Sequence, residues 1–548
     1  MSLNGALYAD MIRFGAANLA NKKEVVNELN VFPVPDGDTG DNMSMTINAA
    51  AKSEDIDDPI SLEKISDKVM HEMLLGARGN SGVILSRIFA GIARGLEGKI
   101  EASISEFAFA MSCGVEEAYA AVAKPVEGTI LTVLRDGVDF AKKESSENTT
   151  FEEYFEFLTR EMRRSVETTP ELLPSLKEAG VVDSGGVGLL YIFEGMQNAL
   201  NGEKVDLDFL KERKNDAEEL DISLFTEDSE LEFGYCTEFL LRLQNKKTNI
   251  SEFSVEDFTN YLKSVGDSVV CFQDGSIIKV HVHSKNPGNI LNHCQDLGEF
   301  LKLKIENMSL QHNNTVIRNS FDDFKSKPHK KYGIVTVANG RGIIDTFSEL
   351  GCDVVIPGGQ SMNPSTNDFL EAFNEINADI ILVFPNNKNI IMAAEQAASA
   401  SEKDIRVIRT KTIGEGYAAI SMLDTNIENP DELIGGLYDT ISEVRTGQVS
   451  QASRNARMNN IEISSGDYIG FSNGEVFAST KNREDVLLTL AEKLGMQNFD
   501  IAILFYGNSV DETEARKLEK ILKEKYNRQE LYLLDGGQPV YDYILILE

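Results

Sequence analysis

The sequence predicts a multidomain protein with an all-α helical domain first, an α+β domain in the middle and an α/β domain at the C-terminus. Three observations predict it. The chain has 548 residues, which at roughly 150 residues per domain makes three or four domains. From about residue 7 to 200 apolar residues recur at helical spacing, as in Leu62, Ile65, Val69 and Met73, and strand-like alternation is scarce. Between these halves the chain turns charge-dense (Lys211-Glu-Arg-Lys-Asn-Asp-Ala-Glu-Glu219), which reads as a solvated linker. The expected division is a helical domain over 1–202, a linker over 203–231, a middle domain over 232–325 and a C-terminal domain over 326–548.

Composition excludes some functions. A formal net charge of -35 with no long Lys/Arg cluster argues against a nucleic-acid partner, which needs a basic face. Five scattered cysteines, Cys113, Cys236, Cys271, Cys294 and Cys352, do not make a disulfide framework and point to a reducing compartment. The first twenty residues carry Asp10 and Arg13 in an amphipathic pattern, unlike a signal peptide. No apolar run is long enough for a membrane span. The expected location is the cytoplasm.

Within the helical domain the stretch Asn30-Val-Phe-Pro-Val-Pro-Asp-Gly-Asp-Thr-Gly-Asp-Asn-Met43 is too rich in Gly and Pro to be ordinary helix. Pro33 and Pro35 hold their neighbours extended, so Asp36 and Asp38, two residues apart, can face the same way. Such a pair suits Mg2+, which takes oxygen ligands and fills its remaining positions with water or phosphate oxygens. Thr39 and Asp41 are expected to cap a helix beginning near Asn42. Three further turns, Gly76-Ala-Arg-Gly-Asn-Ser-Gly82, Lys124-Pro-Val-Glu-Gly-Thr129 and Val182-Asp-Ser-Gly-Gly-Val-Gly188, are expected at helix ends. Glycines ahead of a helix N-terminus leave free amides at the positive end of the dipole, a ready anion site. Three such turns beside an acidic metal turn imply several phosphates. The common ATP cradle, Gly-x4-Gly-Lys-Ser/Thr, is absent from the sequence.

In the middle domain Glu238-Phe-Leu-Leu-Arg-Leu243, Ser268-Val-Val-Cys-Phe272 and Ile277-Ile-Lys-Val-His-Val-His283 read as strands. His281 and His283 lie two apart on one of them, and Cys236 begins a strand that can pair beside them. A Cys/His/His set suits zinc with an open fourth position; the alternative is two solvent-facing histidines and a small core cysteine. From about residue 329, Tyr332-Gly-Ile-Val-Thr-Val337, Asp353-Val-Val-Ile356, Asp379-Ile-Ile-Leu-Val-Phe384 and Ile405-Arg-Val-Ile408 read as buried strands of a largely parallel sheet. The turns Asn339-Gly-Arg-Gly342, Gly358-Gly-Gln-Ser-Met-Asn-Pro-Ser365 and Pro385-Asn-Asn-Lys388 follow strand ends, where open sheets bind ligands.

The turns of the helical domain resemble the nucleotide-binding domain of the dihydroxyacetone kinase family. Asn30-Val-Phe-Pro-Val-Pro-Asp-Gly-Asp-Thr-Gly, Gly76-Ala-Arg-Gly-Asn-Ser-Gly and Lys124-Pro-Val-Glu-Gly-Thr-Ile-Leu resemble more closely the catalytic chain of the bacterial fatty acid kinases, along essentially the whole sequence. The resemblance implies an ATP-dependent kinase whose acceptor is the carboxylate of a fatty acid on a separate carrier protein, giving an acyl phosphate for phospholipid synthesis. It implies Mg2+ on Asp36 and Asp38 beside a catalytic Thr39. It implies ATP contacts at Asn42, Gly79, Asn80, Ser81, Gly82, Thr129, Asp183 and Gly185. Dihydroxyacetone kinases carry a third metal aspartate five residues before the pair, where this chain has Val31 with Asn30 alongside; Asn30 is the substitute ligand. The resemblance also favours Zn2+ on Cys236, His281 and His283, and a C-terminal domain with the fold of the fatty-acid-binding carriers that docks the carrier. A homodimer is expected. In the runner-up reading, a kinase of a small polyol or ketone, His281 or His283 holds the substrate; a third is a nucleotide-regulated scaffold. Arg78 and Lys124 are candidates to offset the acceptor carboxylate.

Overall fold

The computed structural model describes residues 2–30, 37–52, 61–146, 148–203, 235–248, 253–274, 276–307, 329–360, 362–453, 455–458 and 461–548. The chain divides into two compact units, one made of Met1–Arg213 with Lys327–Glu548 and the other of Lys214–Ser326. The helical and C-terminal regions therefore belong to one unit.

The helical region opens with β1 (Leu3–Asn4), whose antiparallel partner is β2 (Glu101–Ala102). Its helices are α1 (Gly5–Leu29), α2 (Thr39–Ala51), α3 (Leu62–Gly76), α4 (Gly79–Gly95), α5 (Ile104–Ala120), α6 (Ile130–Glu144), α7 (Phe151–Leu172), α8 (Pro174–Ala179) and α9 (Ser184–Leu200). The periodic set Leu62, Ile65, Val69 and Met73 is buried, as its spacing predicts. The centre is aromatic: Phe107 meets Phe151, Tyr154 and Phe155 at centroid distances of 5.8, 5.9 and 5.9 Å. Each of these phenylalanines contributes about 1.5–3 kcal/mol by leaving water. Glycine sets how closely the helices approach. A Cβ on Gly195 of α9 would lie 2.7 Å from the Gly15 Cα of α1 and run into the Phe14 carbonyl oxygen, so these two backbones touch.

Helix α2 starts at Thr39, three residues before the expected Asn42. Neither Thr39 nor Asp41 caps it. The Asn27 side chain of α1 does so instead, its Oδ1 accepting the N–H groups of Gly40 at 2.7 Å and Asp41 at 3.2 Å. The cap comes from another helix, so local sequence does not announce it. Asp41 is spent on the same joint, accepting from Lys23 Nζ at 2.7 Å and Asn27 Nδ2 at 2.8 Å.

In the middle unit β3 (Tyr235–Leu243), β4 (Asp267–Asp274), β5 (Ile277–Ser284) and β6 (Gly298–Asn307) form an antiparallel sheet in the order β4-β5-β3-β6. The helices Val255–Val265 and Pro287–Leu297 complete a βαββαβ chain order, the split βαβ arrangement. Phe239, Leu241, Ile278, Val280 and Val282 pack with Phe258, Leu262 and Ile290. This is the expected α+β class, with β6 as a strand the sequence reading did not identify.

The C-terminal region holds two larger sheets. β7 (Lys330–Ala338), β8 (Val354–Pro357), β9 (Ala378–Phe384) and β10 (Asp404–Val407) form a parallel sheet ordered β10-β9-β7-β8, as expected. After β11 (Arg445–Gln451) come the short pair β12 (Ala456–Met458) and β13 (Ile461–Ile463), then β14 (Tyr468–Ser472), β15 (Glu475–Thr480), β16 (Ile501–Tyr506), β17 (Glu530–Asp535) and β18 (Tyr543–Leu547). The six-stranded sheet β15-β14-β11-β18-β16-β17 is antiparallel except where β16 meets β17. A largely parallel C-terminal half is thus corrected to one parallel sheet and one mostly antiparallel sheet. A two-residue Asn473-Gly474 turn, both residues at positive φ, lets β14 return directly as β15, and such a hairpin can only be antiparallel.

The contact between α1 and α9 yields a stability test. Gly195→Ala is expected to destabilise the helical region by about 1–3 kcal/mol, the usual cost of overpacking. Gly435→Ala, at a helical glycine whose added Cβ would meet nothing within 4 Å, is expected to be neutral or stabilising by up to about 1 kcal/mol. Thermal unfolding followed by circular dichroism checks the pair, and equal midpoints for the two variants would contradict the packing.

Candidate active site

The site grows from helix starts. Each of α2, α4, α6 and α9 begins at a glycine-bearing turn, and side-chain contacts bring the four N-termini together. At α2, Asp38 occupies the N-cap position without capping through its side chain. Because Asn27 does the capping, the Asp38 carboxylate is left to the site. It is buried, at 7% exposure, with Oδ1 accepting from Asn30 Nδ2 at 3.2 Å and Oδ2 accepting from Asn363 Nδ2.

The start of α4 lies on α2. Gly79 has φ +57, and a Cβ there would stand 2.6 Å from Asn42 Nδ2; a Cβ on Gly82 would collide with Thr46 Oγ1. A side chain at either position would push the α4 amides away from Asp38. Asn42 is itself buried at 6%, and its Oδ1 accepts from Asn363 Nδ2 at 3.4 Å.

On the other side of α2, Ser184 Oγ donates to Thr39 Oγ1 at 3.4 Å, so α9 starts beside α2. Asp183 caps α9, accepting the Gly186 N–H at 2.7 Å, and also accepts the Ile130 N–H at the start of α6. One carboxylate thus serves two helix N-termini. Burial pushes its pKa up to about 6, against the lowering effect of these two backbone bonds. Gly185 fits between Asp183 Oδ2 and the Ile130 side chain, where a Cβ would have 3.3 Å to each. Thr129, at the N-cap position of α6, turns away and donates to the Val126 carbonyl at 2.7 Å.

Four positive dipole ends in one cluster make an arrangement that suits an anion. The oxygens suit a hard cation. Besides the Asp38 carboxylate, the buried Oδ1 atoms of Asn80 and Asn363 have no hydrogen-bond partner. Orphaned acceptors of this kind carry a desolvation cost that a cation would remove. Among the described residues no group of three or more His, Cys, Asp or Glu is placed to hold a metal; the oxygens gathered here are one carboxylate and several carboxamides.

The C-terminal region supplies Asn363, which the sequence reading did not select. It sits between β8 and the helix Thr366–Asn374 and is 3% exposed. The loop is anchored on the start of α4: Arg78 Nη1 donates to the Asn363 carbonyl at 2.8 Å, the Thr366 N–H donates to the Ala77 carbonyl at 3.1 Å, and Arg78 pairs with Asp368 at 3.6 Å. Arg78, a candidate to offset an acceptor carboxylate, is thus engaged in the contact between the two regions. Lys124 is exposed. No local signal marks Asn363, because the contact spans 325 residues of chain.

Of the other sequence candidates, Ser81 stands in the first turn of α4, and Asp36 lies outside the described residues. In the middle unit the β3–β5 ladder sets Cys236 opposite His283 and Glu238 opposite His281. The side chains of Cys236, His281 and His283 lie outside the described residues. No helix among the described residues is long and apolar enough to cross a membrane.

Comparison with known proteins places the chain. The DAK2 domain model matches residues 33–198; the FakA-like middle-domain model of the fatty acid kinases matches 232–315; and the FakA-like C-terminal model of the same kinases matches 333–548. Protein YloV of Bacillus subtilis is 40% identical over 557 residues, covering 100% of this chain and 99% of YloV. The uncharacterized protein SERP0792 of Staphylococcus epidermidis is 37% identical over 556 residues, again covering 100% and 99%. Among solved structures, the fatty acid binding protein DegV from Bacillus subtilis aligns with 40% of this chain and 100% of its own at 12% identity and a TM-score of 0.31. The dihydroxyacetone kinase from C. freundii in complex with AMP-PNP and Mg2+ aligns with 36% of this chain and 35% of its own at 18% identity and a TM-score of 0.28. With full-length relatives at this identity and three domain models matched in order, the chain belongs to the FakA-like family of fatty acid kinases.

Proposed function

We propose that the protein transfers the γ-phosphoryl group of ATP to the carboxylate of a fatty acid held by a separate carrier protein, yielding an acyl phosphate and ADP. The observation that carries the reading is the convergence of four helix N-termini around the buried Asp38. In the transfer a carboxylate oxygen bonds to the γ-phosphorus as the bond to the β-phosphate oxygen breaks, and ADP leaves. The nucleophile is already an anion near neutral pH, so no general base is needed. What opposes reaction is repulsion between carboxylate and triphosphate, so catalysis rests on positioning and charge neutralisation.

The chain's own groups divide the work. The first-turn amides of α4, with Gly79, Asn80, Ser81 and Gly82, cradle phosphate oxygens, and the starts of α2 and α9 add the positive ends of their dipoles. Asn42 holds the start of α4 and Thr39 that of α9 in place, while Asp183 and Gly185 fix the start of α6 behind Thr129. Asp38, with Asp36 and the carboxamide oxygens of Asn30 and Asn363, would hold Mg2+, which when bound supplies positive charge to the phosphates. Cys236 and His283, paired across β3 and β5, are proposed with His281 as a zinc site. The carrier is proposed to dock on the C-terminal region, which already reaches the phosphate cluster through Asn363. A kinase of small polyols is the second reading, and an assay with free triose tests it.

Three outcomes are expected. ATP consumption by the full-length chain should require a lipid-loaded carrier; equal turnover with free fatty acid alone would overturn carrier dependence. Asp38→Asn keeps the shape of the side chain but removes its charge, and should lower kcat by about 10²-fold or more, the usual loss for a preorganised electrostatic group, with an unchanged circular dichroism spectrum. Wild-type turnover in that variant would remove Asp38 from the metal site.

The third concerns pH. With its pKa raised to about 6, Asp183 holds its proton more tightly in the folded than in the unfolded chain. Its contribution to stability is therefore fully present below the unfolded value and is lost as pH rises through about 6. Because the residue is half-buried, the loss should be on the order of 1–2 kcal/mol. Asp183→Asn should flatten this part of the profile of melting temperature against pH between about 4 and 7. The slope is the readout, since exchanging the carboxylate for an amide also changes the strength of the cap and with it the absolute melting temperature; parallel profiles would assign the pH dependence elsewhere.

A further inference from the structure

The C-terminal region contains a cavity of about 300 Å³ that the phosphate cluster does not use. It lies at the C-terminal ends of the parallel strands. In the order β10-β9-β7-β8 the chain runs from β7 outward to β8, then returns past β7 to β9 and β10. The winding therefore reverses between β7 and β9, and such a switch point opens a crevice that cannot be filled by a crossover. Asn339 after β7, Gly359 after β8, Lys388 after β9 and Lys411 after β10 all line it, and the β14–β15 turn and the segment before β18 close the other side. The volume is at the small end of ligand pockets.

Its wall is built and held. Asn386 and Asn473 are the non-glycine residues with positive φ among those described, at +58° and +51°, and both line this cavity. Asn473 is explained by its hairpin turn, but Asn386 is not in a hairpin. Three hydrogen bonds keep it in place: Nδ2 donates to Thr336 Oγ1 at 2.8 Å and to the Val337 carbonyl at 2.9 Å, and Oδ1 accepts from Thr410 Oγ1 at 2.8 Å. Its strained backbone turns the chain so that Asn387 and Lys388 follow along the rim, and strain of this kind is characteristic of ligand sites. Gln360 is locked as well, its Oε1 accepting from Asn387 Nδ2 at 2.9 Å and Tyr541 OH at 3.1 Å.

The lining is divided by chemistry. Val337, Ile343, Phe471, Val540 and Ile544 give an apolar part. The charged residues of the lining are Lys388, Lys411 and Glu415. The Glu415 carboxyl is engaged by the backbone N–H of Lys411; burial pushes its pKa up, against the backbone bond and the nearby Lys411 charge, so Lys388 is the cation of the pair with no carboxylate beside it among the described residues. Two cations against one engaged carboxyl stand out in a chain with 88 acidic and 53 basic residues. The geometry points to a second ligand site here, for a small organic anion with a carboxylate or phosphate head and a short apolar body. The site does not depend on the kinase reading.

Isothermal titration of the full-length protein with hexanoate, hexyl phosphate and hexanol tests it, with saturating MgADP present to occupy the phosphate cluster. Two variants locate the binding. Lys388→Gln with Lys411→Gln removes the cations; Gly359→Val adds a side chain into the cavity, where a Cβ would meet only Asn339 Cβ, at 3.3 Å. At least one of the two anions should bind ten-fold or more tightly than hexanol, and both variants should weaken it by ten-fold or more at unchanged melting temperature. The tighter of the two anions identifies the head group. No anion binding, hexanol binding as tightly, or wild-type affinity in either folded variant would overturn the site.

Discussion

The constraint on which the helical region depends is the unpaired amide. Every helix starts with N–H groups that its own turn cannot satisfy, and burying four such starts in one place is costly unless something accepts from them. Asn27 meets part of that demand from another helix, and Asp183 meets part of it for its own helix and for the start of α6. The positive dipole ends that meet there make the cluster a place that favours an anion. Glycine at 79, 82 and 185 follows from the same constraint, because a side chain at any of them would hold the helix starts apart.

The second dependence is between the ends of the chain. Helix α4 is gripped through the two residues ahead of it, Ala77 and Arg78, by the segment 363–366, and further along by Gln396, which accepts from Arg87 Nε at 3.1 Å and donates to the Leu74 carbonyl of α3 at 2.8 Å. Ala77 and Val83 are buried in the same apolar cluster as Val335, Phe369 and Ile381 of the C-terminal region. The contact is thus a hydrophobic core with a polar margin. The Asn363 carboxamide is held beside Asp38 by packing of two regions rather than by its own loop, which explains how an orphaned Oδ1 persists there. The loop that carries Asn363 begins at Gly358 and Gly359, on the border of the C-terminal cavity. One short segment therefore touches both sites.

In the C-terminal region the central strand β11 shows how polar sequence can be core. Arg445–Gln451 has almost no apolar pattern, yet it runs between β14 and β18. Ser450 Oγ donates to the Val540 carbonyl at 3.0 Å, and the Thr446 and Thr412 hydroxyls lie 2.9 Å apart. Gly447 leaves room for Leu490 and Leu494 to pack on the strand. Buried polar groups are tolerated when they are paired, and here the partners come from distant segments.

The sequence by itself determined the helical class of the first 200 residues, since a 3.6-residue apolar repeat has no other stable reading. It also determined that the glycine-rich turns lie at helix ends and that the strands after residue 330 are buried, because both follow from local conformational preference and hydrophobic pattern. The Asp38, Gly79 and Asp183 turns were legible one by one as glycine-bearing turns between helices. Tertiary structure decided that they form one place, that Asn27 rather than Thr39 caps α2, and that Asn363 closes over Asp38. It also decided that the C-terminal half splits into a parallel and a mostly antiparallel sheet. The reason is the same in each case: a cap, a lid residue or a strand neighbour supplied by a segment far away in the chain leaves no periodicity and no spacing in the residues that receive it.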